Sequence, residues 1–276
     1  MKGIIFAGCS FTWGQGLYFY SDFNDVIKSG DNNFKHEDIT DAHFKFKNTL
    51  YFPRLVANHF NTFEIVRKTN GGSDENSMIF VNQLFENTGD KFNGQFEYDD
   101  FNYLVLQTSQ IGRNKFNFTH KGVDYSINVP SNGSVWNSDE EKLLLEWFVE
   151  NGLNYNEWFN LFIKQIFEKI KNFLIFYESV GIKTKIICWH DELLTLIKND
   201  EFVSKRFIPL IYEDKKYDCI NYLVNTQKGM LISNDFDNLT DPPMDNHPSK
   251  KCHQIIANNI INSIEKDLID KNKKLI

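Results

Sequence analysis

The stretch Gly3-Ile4-Ile5-Phe6-Ala7-Gly8-Cys9-Ser10-Phe11-Thr12-Trp13-Gly14-Gln15-Gly16 decides the fold class. Its apolar run, Ile4 to Ala7, does not alternate with polar residues, as expected of a strand covered on both faces. Glycine, a small polar pair and two further glycines follow, the composition of a tight strand-to-helix turn. Three more short runs of the same kind lie downstream, at Glu64–Val66, Tyr103–Leu106 and Lys185–Trp189. Helical periods separate them. Pro53–Phe60 carries Leu55, Val56 and His59–Phe60 on one side, and Asn76–Phe85 places Ile79, Phe80 and Leu84 at helical spacing. The segment Asn156–Val180 is the strongest, with Phe159, Phe162, Ile163, Ile166, Phe167, Ile170, Leu174 and Tyr177 along one stripe and Gly181 at the capping position. A last helix begins after Pro248-Ser249, with Ser249 as its cap and Cys252, Ile255, Ile256, Ile260, Ile261 and Ile264 in period. Strands alternating with helices predict a doubly wound parallel sheet in a three-layer α/β/α sandwich. Ser21–Thr49 and Asn114–Glu150 break the rhythm and read as insertions over the carboxyl end of the strands, with room for a small hairpin.

The chain has 276 residues, and its 41% hydrophobic and 24% charged composition is that of a globular protein. A chain this long buries roughly 70–75% of its unfolded surface, so it needs no metal or disulfide to fold. One domain over residues 1–276, with insertions at about 21–49 and 114–150, is the organisation expected. A net charge of -7 argues against a duplex-binding protein that works by neutralising phosphates, so no nucleic-acid partner is expected. Cys9, Cys188, Cys219 and Cys252 are far apart in sequence and predict free core thiols. No run reaches the ~18 apolar residues of a membrane span. The start lacks the apolar core of a signal peptide. The expectation is a soluble chain, intracellular or already processed, with the cytoplasm as its compartment.

In open α/β sheets ligands sit beyond the carboxyl ends of the strands. A serine in the glycine-rich turn after the first strand, Ser10, could expose its hydroxyl beside backbone N–H groups, or simply cap a helix. A nucleotide cradle fits neither the glycine spacing nor the missing lysine of a phosphate loop. Near the other terminus lies Asp241-Pro242-Pro243-Met244-Asp245-Asn246-His247-Pro248. In an extended segment Asp245 and His247 project to the same side. A nucleophilic serine needs such a base, and the base needs a group that fixes its tautomer. His190, after the fourth strand, and His253, in the last helix, read as structural. His36, His43, His59 and His120 show no metal-binding spacing, so no metal is expected.

A serine turn after the first strand and an Asp-His-Pro segment before the last helix resemble the SGNH (GDSL-like) hydrolase superfamily. Its first block is similar to Gly8-Cys9-Ser10 with Gly14, although Cys9 stands where aspartate is usual. Its second block resembles Asn70-Gly71-Gly72-Ser73. Its third, Gly-x-Asn-Asp, falls at Thr108-Ser109-Gln110-Ile111, where Thr108 replaces the glycine and Gln110 the asparagine. Its last resembles Asp245–Pro248, one residue shorter than the usual Asp-x-x-His, with Met244 in that aspartate's place and Asp241 in reserve. The resemblance implies a flavodoxin-like sandwich and a serine esterase working through an acyl-serine. It assigns Ser10, Asp245 and His247 as the triad. The oxyanion would meet the Ser10 and Gly72 N–H groups and the Gln110 amide, with Ser109 or Arg113 as substitutes for Gln110. It implies no cofactor, and a small acyl ester or acylated carbohydrate as partner; the polar, aromatic-bearing insertions favour a carbohydrate O-acetyl ester. A non-catalytic carbohydrate-binding or structural protein, and an O-acyltransferase, are the alternatives on the same fold. Oligomeric state is not legible.

Overall fold

The computed structural model describes residues 1–9, 12, 14–15, 17–20, 41–67, 72–86, 94–129, 139–235 and 246–273. The chain opens with β1 (Gly3–Ala7), a 3-10 turn at Leu17–Tyr20, α1 (Asp41–Leu50), α2 (Phe52–His59), β2 (Glu64–Arg67), α3 (Asp74–Asn82) and β3 (Phe101–Thr108). A hairpin of β4 (Lys115–His120) and β5 (Val123–Asn128) follows, then α4 (Asp139–Glu150), α5 (Tyr155–Ser179) and β6 (Lys183–Cys188). The remainder holds α6 (Leu194–Asn199), α7 (Glu201–Ser204), a second hairpin of β7 (Leu210–Tyr212) and β8 (Lys215–Tyr217), α8 (Ile220–Thr226), α9 (Ile232–Asp235) and α10 (Lys250–Lys273).

The central sheet is parallel in the order β2-β1-β3-β6, so it has helices on both faces and is an α/β/α sandwich. A single parallel bridge between Ile186 and Phe207 extends it by one residue's width beyond β6. The strands' continuous apolarity now has its reason. Ile5, Ala7, Leu104, Leu106 and Ile186 pack on one face against α3, α5 and α6. Ile4, Phe6, Tyr103, Val105 and Ile187, their immediate neighbours, pack on the other face against α2, α8 and α10. Both positions of the two-residue strand period are buried, each large side chain contributing about 1.5–3 kcal/mol.

The long periodic stripe is α5, where every stripe residue but the half-buried Ile163 is buried. Asn154 caps it by accepting from the N–H groups of Asn156 (2.9 Å) and Glu157 (3.2 Å). Gly181 ends it at φ 93°, a left-handed conformation that costs glycine least. The described residues of the Asn114–Glu150 stretch include the hairpin β4–β5 and α4, which pack Phe118, Ile127, Leu144 and Phe148 onto Tyr155 and Trp158. Those two residues open α5, a helix that runs antiparallel to the sheet, so the insertion stands at the carboxyl end of the strands.

The described end of the Ser21–Thr49 stretch is helical, as part of α1, and His43 and Lys47 turn inward from it. The helix expected at Asn76–Phe85 starts at Asp74 and ends at Asn82. The two lysines opening α10 lie over aromatic rings, Lys250 over Tyr20 at 5.1 Å and Lys251 over Tyr212 at 5.1 Å. These contacts offset their unfavourable place at a helix N-terminus. All four cysteines are buried thiols and none is joined in a disulfide, as the sequence predicts. Among the described residues no helix is long and apolar enough to cross a membrane.

Candidate active site

The carboxyl ends of the strands are joined by side-chain hydrogen bonds. At the end of β1 the backbone of Gly8 lies against β3. A Cβ there would stand 2.2 Å from Thr12 Oγ1 and 3.2 Å from the carbonyl oxygen of Gln107. Gln107, the penultimate residue of β3, is buried and holds both sides of this turn. Its Nε2 donates to Cys9 Sγ (3.1 Å), and its Oε1 accepts from Thr12 Oγ1 (2.8 Å). Ser10 lies outside the described residues. Cys9, where the resembled family carries aspartate, is here an acceptor for a neutral amide.

Gly72, beyond β2 in sequence, is buried, and Ser73 caps α3 by accepting from the Asn76 N–H (3.1 Å). Asp74, the first residue of α3, is fully buried. Its Oδ1 accepts from the Ser109 N–H (2.8 Å) and its Oδ2 from Asn114 Nδ2 (3.2 Å). Burial raises its pKa to about 6 against the pull of those two donors.

Gln110, half-buried, follows β3 with an extended backbone and opens a 3-10 turn over Ile111–Arg113. The Ile111 N–H donates to Glu192 Oε2 (2.7 Å), so the segment after β6 reaches across to the segment after β3. Burial also raises the pKa of Glu192. His190 Nδ1 lies 2.9 Å from Asp191 Oδ1 and 3.8 Å from Glu192 Oε2, and Asp191 accepts from the Tyr222 hydroxyl. His190 Nδ1 is buried and makes no hydrogen bond among the described residues. Cys188, at the end of β6, has its thiol pushed up to about 12 by burial and is no nucleophile at neutral pH.

His247 precedes α10, and the pairing of α10 with α2 sets which end of the sheet it occupies. The Phe52 N–H, at the start of α2, donates to His253 Nδ1 (3.2 Å). His59, at the end of α2, lies 2.9 Å from Glu265. The two helices therefore run side by side in one direction. Since α2 leads straight into a parallel strand, both begin at the carboxyl end. The His247 backbone is fixed by its carbonyl accepting from the Ile232 N–H (2.9 Å) and by the Leu231–Pro248 bridge. Ser249 caps α10 as the sequence predicts, accepting from the Cys252 N–H (3.3 Å) while donating to the Gly229 carbonyl (2.7 Å). Tyr20, which ends the 3-10 turn at Leu17–Tyr20, donates to Asp235 and sits beneath Lys250, beside the start of α10. Asp245 and its reserve Asp241 lie outside the described residues.

The fold is similar to that of a solved acetyl xylan esterase. That structure is Est2A from the rumen bacterium Butyrivibrio proteoclasticus, with a TM-score of 0.52 and 12% identity over 97% of this chain. The chain spans 64% of the length of that esterase. No family model matches the sequence, and no curated protein does. At this identity the likeness is one of architecture.

Three residues at this end were not singled out in the sequence. Gln107 had a signal, a polar side chain at the end of a buried strand. Asp74 had a weaker one, an acid in the first turn after a serine cap. Glu192 had none, because its partner is a backbone N–H on another strand's turn.

Proposed function

We propose that the protein is a serine esterase that hydrolyses a small acyl ester, an O-acetyl group on a carbohydrate, through an acyl-serine intermediate. The observation that carries this reading is that Gly8 and Cys9, Gly72 and Gln110 each follow the carboxyl end of a parallel strand, and His247 precedes a helix that begins at that end. The shared architecture with an acetyl xylan esterase supports it. In this reading Ser10 Oγ attacks the ester carbonyl carbon while His247 takes the hydroxyl proton. Asp245 orients the imidazole and stabilises the imidazolium. The tetrahedral oxyanion accepts from the Ser10 and Gly72 N–H groups and the Gln110 amide. Collapse expels the sugar alkoxide, which leaves with the proton held by His247. Water then attacks the acyl-serine by the same route, releasing acetate and restoring Ser10.

The test combines a fluorophosphonate probe with turnover of 4-nitrophenyl acetate and an acetylated oligosaccharide. Labelling at Ser10, with turnover lost in Ser10→Ala and His247→Ala, is the expected result. The two losses should be similar, because triad members act as a unit. Full turnover in Ser10→Ala would refute the assignment, and capture of the acyl group by an added sugar in place of water would mark an acyltransferase.

A further inference from the structure

The turn carrying Gln110 is short, and its own bonds do not set the direction of that side chain. They run from the Arg113 N–H to the Gln110 carbonyl (3.0 Å) and from the Asn114 N–H to the Ile111 carbonyl (2.9 Å). The two N–H groups on either side of Gln110 are instead held by carboxylates on two other elements. Ser109 donates to Asp74 at the start of α3, and Ile111 donates to Glu192 after β6. We propose that Asp74 and Glu192 form a two-carboxylate clamp that positions Gln110, with Asp74 a positioning residue for ester hydrolysis. The inference rests on the reading of Gln110 as an oxyanion donor.

Asp74 is costly as a purely structural residue. It is fully buried, and among the described residues no lysine or arginine pairs with it. A buried carboxylate without a cation costs several kcal/mol, and a neutral side chain would cap the same region more cheaply. What the charge adds is strength, since a hydrogen bond to an ionised acceptor is roughly twice as strong as a neutral one. It also makes the clamp sensitive to a proton. Protonated Asp74 turns an O–H toward Asn114 Nδ2, donor against donor. Asn114 must then lose that bond or rotate its amide. Rotation brings round Oδ1, which is buried without a partner among the described residues, but it sacrifices the Nδ2 bond to the Ile111 carbonyl (3.2 Å). Either response loosens the turn. The titratable groups facing Asp74 are Glu192 across the turn and Cys188 at the end of β6; those facing Glu192 are His190 and Asp191.

The experiment is steady-state hydrolysis of 4-nitrophenyl acetate from about pH 5 to 8 by wild type, Asp74→Asn and Glu192→Gln, with fluorophosphonate labelling of each. A displaced donor costs roughly 10- to 100-fold in kcat. Both variants should show such a loss at the alkaline end with KM unchanged and Ser10 still labelled. In wild type the acid limb of log kcat should fall more steeply than one proton allows, because the base and Asp74 must both be deprotonated. In Asp74→Asn it should fall with a slope of one, and in Glu192→Gln it should stay steep. Should Asp74→Asn fail to fold, Glu192→Gln decides through its kcat loss at constant KM. Wild type that labels and turns over, with variants equal to it in kcat and acid slope, overturns the clamp alone. Wild type that does neither removes the esterase reading and the clamp with it.

Discussion

His253 offers a stability test whose size follows from its surroundings. It is fully buried in α10, stacked on Phe52 at 5.7 Å, with Nδ1 accepting from the Phe52 N–H. An acceptor at Nδ1 fixes the neutral tautomer. Burial, with help from nearby His247 and Lys47, pushes the imidazole pKa down from 6.5 to about 3. The unfolded chain therefore binds a proton at this site that the folded chain refuses. Stability from the neutral imidazole is present above pH 6.5 and is lost as pH falls toward 3. Between about pH 7 and about pH 4.5 the loss amounts to roughly 2.5 kcal/mol. Asp74 works the other way over part of this range. Its folded pKa of about 6 exceeds the usual 3.8, so it favours the folded state as pH falls. Comparison with His253→Asn cancels that contribution. The asparagine Oδ1 can accept from the Phe52 N–H but cannot titrate. Urea unfolding of both proteins at the two pH values should find wild type ahead at neutral pH, because the variant loses packing. That lead should shrink by roughly 2.5 kcal/mol at the acid value. A lead that does not change with pH would refute the reasoning.

Two further outcomes concern the site. Gln110→Ala should lower kcat by ~10²–10³, about 2.7–4 kcal/mol, with KM nearly constant, since the bond forms to charge that develops only in the transition state. An unchanged kcat on an acetyl ester would remove Gln110 from the oxyanion hole. Gly8→Ala drives a Cβ to 2.9 Å from Gln107 Cβ and 3.2 Å from its carbonyl oxygen. It should destabilise the protein by ~1–3 kcal/mol and slow fluorophosphonate labelling through the displaced Ser10 turn. Wild-type melting and labelling in that variant would show that the turn has slack.

The sequence by itself determined the layers. Unbroken apolar runs such as Ile4–Ala7 and Leu104–Leu106 can be buried only on both faces, and the stripe of α5 fits only a helix. It also determined local caps, because Ser249 and Gly181 act within a few residues of themselves. The resemblance to the SGNH superfamily marked Gly72 and Gln110, and the Asp-His-Pro segment before the last helix marked His247. The sequence did not show the helix within Ser21–Thr49, where polar composition hides an inward face bearing His43 and Lys47. It named no element between Trp189 and the last helix, where helices of four to seven residues and three-residue strands are too short to show a period.

Only the tertiary structure decided how the strand ends are joined. Gln107 reaching across to Cys9 and Thr12, Asp74 to Ser109, Glu192 to Ile111 and His253 to Phe52 each span 35 to 201 residues of chain. No periodicity encodes such pairs. They exist because a parallel sheet brings distant strand ends within hydrogen-bonding distance, and a buried backbone N–H left there must find an acceptor.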